Sequence, residues 1–70
     1  MQNYIKKMIA EAEELDGRIK RAENALNNPP YGIDATGLHL LEKQVQAMKL
    51  YSDCLRQRIK YEGEKWLTQK

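Results

Sequence analysis

The stretch NNPPYGIDATG, residues 27–37, interrupts a chain that otherwise has the composition of helix. Asn27 and Asn28 suit a helix C-terminus, because asparagine tolerates the left-handed conformation in which helices end. Pro29 and Pro30 lack the amide hydrogen that a continuing helix needs, and Pro29 biases Asn28 away from helical torsions. Asp34 or Thr36 then offers an oxygen to the exposed amides of a new helix. The stretch therefore reads as a connection over residues 28–35, joining a helix over 3–27 to an antiparallel helix over 36–66. Tyr31 and Gly32 at its apex are not required by that role. Amides, glycines and a tyrosine at a tight bend also suit a ligand loop, which keeps Tyr31 as a candidate contact.

The first flanking segment carries a heptad. Ile5, Met8, Ala12, Leu15, Ile19, Ala22 and Leu26 alternate spacings of three and four, which places them on one helical stripe. Gly17 lies off the stripe. It reads as a tolerated surface glycine, at roughly 1 kcal/mol relative to alanine, or as a point of close approach by another backbone. In the second segment Leu38, Leu41, Val45, Met48, Ser52, Leu55, Ile59, Glu62 and Trp66 keep the same spacing, with Ser52 and Glu62 polar. Beside them runs a second stripe of Ala47, Tyr51, Cys54 and Tyr61. On this pattern Cys54 reads as a buried packing residue. The helix is expected to fray or bend near Gly63. Trp66 is expected to extend the core or to pack on another subunit, and residues 67–70 read as a polar tail.

An apolar face this wide covers more than one partner helix can bury. A chain of 70 residues forms at most one domain, and cores of that size are marginal without a disulfide, a metal or a partner chain. The single cysteine rules out an internal disulfide, and the single histidine, His39, rules out an ordinary Cys/His zinc site within one chain. Neither metal nor cofactor is expected. The remaining remedy is self-association, so the fold class is all-α: an antiparallel two-helix hairpin that oligomerises into a helical bundle. A dimeric four-helix bundle is the simplest form, and higher rings are possible.

Charged residues make up 31% of the chain with both signs interspersed, and the net charge of +2 is too small to imply nucleic-acid binding. No apolar run is long enough to span a membrane, and the opening MQNYIKKMIAEAEEL lacks the apolar core and cleavage site of a signal peptide. A lone cysteine fits a reducing compartment. The expectation is a soluble protein inside a cell.

Enzymatic readings fare badly. One histidine would have to serve every base role, and His39 reads as a part-exposed residue in the first turn of the second helix. The acidic run Glu11, Glu13, Glu14 and Asp16 fans around a helix rather than converging on a metal, and Glu14 with Arg18 forms an i,i+4 pair. Gly32 and Gly37 are isolated and form no phosphate loop.

Less ordinary is the line Gln44, Tyr51, Arg58, each seven residues from the next, with Lys65 extending it. Such a line beside an apolar seam serves either to set register and partner choice in a coiled coil or to wall a pocket between helices or subunits. In the second case a ring stacks on a base and an arginine holds a phosphate. Residues 49–70 carry Lys49, Arg56, Arg58, Lys60, Lys65 and Lys70 against Asp53, Glu62 and Glu64, so that end is mildly basic. The candidate ligand contacts are Tyr51 and Tyr31 for stacking, Gln44 for a base edge, and Arg56 and Arg58 for phosphate. In the hairpin Arg58 would lie near Met8 and Glu11, where a plain salt bridge could also satisfy it.

Tyr4, Glu14, Leu15, Ile19 and Leu26, a short proline-containing loop, and LLEKQVQAMKLYSDCLRQRI together resemble a family of small helical bacteriophage proteins related to one from crAss-like phages. The likeness covers most of residues 4–60 and is most specific at Leu41, Gln44, Ala47, Met48, Tyr51, Leu55, Arg58 and Ile59. The double proline and the tail after Ile59 depart from it. The resemblance implies a phage accessory protein in the host bacterial cytoplasm. In size, hairpin form and need to oligomerise, the chain is also similar to phage counter-defence sponges, which sequester cyclic nucleotide immune signals without cleaving them. The resulting expectation is a non-enzymatic homo-oligomer that sequesters a nucleotide-derived immune signal. The alternative is an inhibitor or adaptor of anti-CRISPR type that docks on a host or phage protein through the wide face of the second helix.

Overall fold

The computed structural model describes residues 3–68, which form two helices, α1 (Asn3–Asn27) and α2 (Ala35–Thr68). They pack side by side, antiparallel, in a rod of 56 × 15 × 14 Å. The chain is all-helical and folds as a hairpin.

The connection works through a few bonds. The Asn28 amide donates to the Asn24 carbonyl at 2.9 Å, which closes the last turn of α1. A tight turn follows, in which the Ile33 amide donates to the Pro30 carbonyl at 3.2 Å. Its third residue, Gly32, has φ +89°, the left-handed value that a type II turn requires there and that side chains disfavour. Of the two expected caps, Asp34 is the one used: its Oδ1 accepts from the Gly37 amide at 2.7 Å, while its carbonyl accepts from the Leu38 amide. The first residue of α2 is accordingly Ala35. A side chain at Gly37 would meet Ile33 at 3.0 Å, so the cap leaves little room there.

The α1 heptad faces α2. Ile5, Met8, Ala12, Leu15 and Ile19 are buried, while Ala22 and Leu26, near the turn, are half-buried. From α2 come Val45 and Leu55, both buried, with Met48 and Ile59 half-buried. The tightest cluster joins Ile5, Met8, Ala12 and Leu55, flanked by Ile9 and Ile59, so the core is densest at the open end of the hairpin. Helix α2 continues through Gly63 without a break, and the glycine has nothing within 4 Å of a would-be side chain. A helical glycine costs only about 1 kcal/mol, which the rest of the helix absorbs. The expected role of the Trp66 side chain, and that of the tail's last residues, lie outside the described residues.

The two polar members of the α2 stripe are both satisfied from α1. Ser52, 8% exposed, donates to Asp16 Oδ1 at 3.4 Å, and Arg56 donates to the other oxygen of the same carboxylate. Glu62 Oε2 accepts from the Tyr4 hydroxyl at 2.9 Å. That hydrogen bond, with desolvation and the charge of Glu62 adding to it, raises the Tyr4 pKa above its ordinary value.

Candidate functional site

The hairpin has two unlike flanks. Along one, charged pairs bind the helices together: Asp16 with Ser52 and Arg56, and Glu23 with Lys49 at 2.6 Å. Along the other lie Tyr4, Glu11, Glu14 and Arg18 of α1 and Gln44, Tyr51, Arg58 and Glu62 of α2. Among these residues the helices are bonded to each other through Tyr4 and Glu62, at the open end.

On this second flank a groove of about 210 Å³ opens between the helices, lined by Glu11, Glu14, Leu15, Arg18 and Tyr51. Its α1 wall follows from helical spacing, since residues three, four and seven apart share a face. Glu14 Oε1 accepts from Arg18 Nη2 at 2.8 Å and steadies the guanidinium. The opposite wall is Tyr51, which is 47% exposed. Among the described residues, the side chains of Glu11, Gln44, Tyr51 and Arg58 have no hydrogen-bond or ion-pair partner. The salt bridge open to Arg58 near Glu11 does not form.

The five sequence candidates are thus divided. Gln44, Tyr51 and Arg58 share one exposed line, at intervals of about 10 Å along α2. Arg56 stands two residues from Arg58, about 200° around the helix, and its guanidinium is held by Asp16 on the other flank. Tyr31 is fully exposed at the apex of the turn, at 107% of its reference area. Within one chain, therefore, neither Arg56 nor Tyr31 meets Tyr51. Sequence reasoning missed Glu11, Glu14 and Arg18 as groove residues. Their spacing shows a shared face, but not that this face lies beside Tyr51.

The second stripe of α2 is also uncovered: Ala47 and Tyr61 are exposed, and Leu40 and Leu50, outside the stripe but on the same face of the helix, are 59% and 66% exposed. Cys54, expected to be buried, is an exposed free thiol, because the single stripe of α1 reaches only the seam side of α2.

A family model named Sequestin matches residues 2–61, which include α1, the turn and most of α2. The chain belongs to the Sequestin family. The family name denotes sequestration, a binding role rather than a catalytic one, and the matched span contains Glu11, Arg18, Gln44, Tyr51 and Arg58. No curated protein and no solved structure matches the chain. Among the described residues no group of His, Cys, Asp and Glu is arranged to hold a metal ion, and no helix is long and apolar enough to cross a membrane.

Proposed function

We propose that this protein sequesters a nucleotide-derived immune signal without cleaving it, as a bacteriophage counter-defence protein acting in the host bacterial cytoplasm. Membership of the Sequestin family carries the reading, and the half-exposed ring of Tyr51 beside an open groove is consistent with a stacking contact. Tyr51 stacks on a base, Gln44 bonds a base edge and Arg58 holds phosphate. The exposed face that carries Leu40, Ala47, Leu50 and Tyr61 supports self-association, which would close the open side of the groove. In such a homo-oligomer, Arg56 and Tyr31 reach the pocket only from another copy. Binding without chemistry is sufficient for this role, and the crAss-like phage kinship belongs to the same proposal.

The test is calorimetry against a panel of cyclic di- and trinucleotides and cyclisation products of ADP-ribose. Submicromolar binding of one of them, with the ligand recovered intact by mass spectrometry after heating, is the expected result. Absence of such binding across the panel refutes it.

The exposed stripe also favours a second reading, an inhibitor or adaptor that docks on a host or phage protein. A stoichiometric protein partner on co-purification from infected cells, with no small molecule released on heating, selects that reading.

A further inference from the structure

The groove has a charge balance that a phosphate site does not want. Glu11 and Glu14 line it against one cation, Arg18, and that cation is already bonded to Glu14 at 2.8 Å. A phosphate placed there would meet the uncompensated carboxylate of Glu11. A hydroxyl group would meet an acceptor with no competing partner among the described residues.

The order of groups along the groove adds direction. The bonds Tyr4–Glu62 and Asp16–Ser52 set the antiparallel register, so passing from Arg18 to Glu11 on α1 runs the same way as passing from Tyr51 to Arg58 on α2. A flat ring surface comes first, at Tyr51 with Arg18. Glu11 follows, its carboxylate without a partner among the described residues, and beyond it comes Arg58, likewise without one among them, about 10 Å along α2 from Tyr51. Base, sugar and phosphate follow each other in the same order in a nucleotide. The volume of about 210 Å³ is below the roughly 300 Å³ at which pockets for drug-sized ligands begin, so the groove takes the base and sugar of a nucleotide and leaves its phosphate outside, on the side of Arg58.

We infer that the groove is a ribonucleotide subsite in which the Glu11 carboxylate accepts hydrogen bonds from the ribose hydroxyls of a nucleotide whose base lies on Tyr51. The inference rests on the proposed function and goes beyond it by assigning sugar recognition to α1. Carboxylates serve ribose hydroxyls well, because both oxygens accept and a charged acceptor makes the stronger bond. Glu14 acts by holding Arg18 along the wall, and Arg58 takes the phosphate. Selectivity for ribose over deoxyribose is then a property of a single residue.

The experiment is NMR titration of the full-length protein with adenosine 5′-monophosphate and, separately, its 2′,3′-dideoxy analogue. The expected result is chemical-shift change at the Tyr51 ring and at the amides of Glu11 to Arg18, with the dideoxy analogue bound about five- to tenfold more weakly. Glu11→Gln should bring the two probes to within about twofold of each other. Glu13→Gln, on the outer face, should preserve the full difference. Equal binding of both probes by the unaltered protein, no response at Tyr51, or a preference for ribose that survives Glu11→Gln overturns the inference. So does a Glu11→Gln variant that changes oligomeric mass while keeping that preference, since Glu11 would then serve a neighbouring copy. If the monophosphate leaves Tyr51 unmoved while a member of the cyclic panel binds, the subsite falls and the proposed function stands.

Discussion

Replacing Asp16 with alanine tests how polar residues enter the seam of this hairpin. The Asp16–Arg56 pair joins side chains that are 44% and 55% exposed, a setting in which an ion pair contributes about 0–1 kcal/mol. Ser52 is the larger matter: it is 8% exposed and loses its acceptor. A buried hydroxyl without a partner costs about 1–3 kcal/mol, and the 3.4 Å bond places this one near the low end. Alanine returns about 0.5 kcal/mol through its higher helix propensity. The net loss is about 0.5–1.5 kcal/mol, or a fall in Tm of roughly 2–12 °C for a chain of this size. Removing the hydroxyl as well, in Asp16→Ala with Ser52→Ala, eliminates the orphaned group. That double variant should recover to within about 0.5 kcal/mol of the unaltered protein. Urea denaturation followed by circular dichroism, at one protein concentration for all variants, measures the cycle. If the double variant is as unstable as Asp16→Ala alone, Ser52 does not depend on Asp16 and the assignment of the pair is wrong.

Leu55→Ala should cost about 2–5 kcal/mol, because Leu55 is only 1% exposed among Ile5, Met8 and Ala12; a loss below 1 kcal/mol by urea denaturation counts against this core. Gly17→Ala should stabilise by up to about 1 kcal/mol, since a Cβ there meets only the flexible end of Arg21 at 3.4 Å; a loss of oligomeric mass instead would mark Gly17 as a backbone contact between copies. The Tyr4 hydroxyl donates a hydrogen bond to Glu62, so its raised pKa makes the contribution to stability complete below the unfolded value near 10 and lost as pH rises through the folded value. Ultraviolet titration of the phenols should show one tyrosine ionising earlier in Glu62→Gln than in the unaltered protein, and an unchanged titration contradicts the bond. Tyr51→Ala should weaken binding of the proposed ligand by about 1–3 kcal/mol in calorimetry with the circular dichroism spectrum preserved, because the ring is half-exposed and is absent from the buried cluster around Leu55; unchanged affinity removes it from the site.

Some of the candidate site is legible in the sequence alone. The seven-residue interval of Gln44, Tyr51 and Arg58 follows from the period of a helix, and their common exposed line is what that period requires. The same period separates Arg56 from Arg58, since residues two apart face away from each other. The acidic wall is a different matter. Glu11, Glu14 and Arg18 form a face of α1 in any helix, but which α2 residue they meet depends on the rotation of one helix against the other. The partner of Ser52 is hidden for the same reason, as Asp16 lies 36 residues away in sequence. Cys54 shows the opposite error: its apolar stripe reads as buried, yet a single partner helix covers only about one face of its neighbour.

By itself the sequence determined the elements of this protein. Its heptad spacing set the buried stripes, the double proline ended α1, and Asp34 was available to begin α2, because local torsions, caps and periodicity act over a few residues. Only the tertiary structure decided what the helices present to each other. The turn directs α2 back along α1 at one rotation, which zips one flank through Asp16 and Glu23 and leaves the other open at Tyr51. That choice depends on packing and polar satisfaction summed along the whole seam, across contacts between residues far apart in the chain, and no short stretch of sequence contains it.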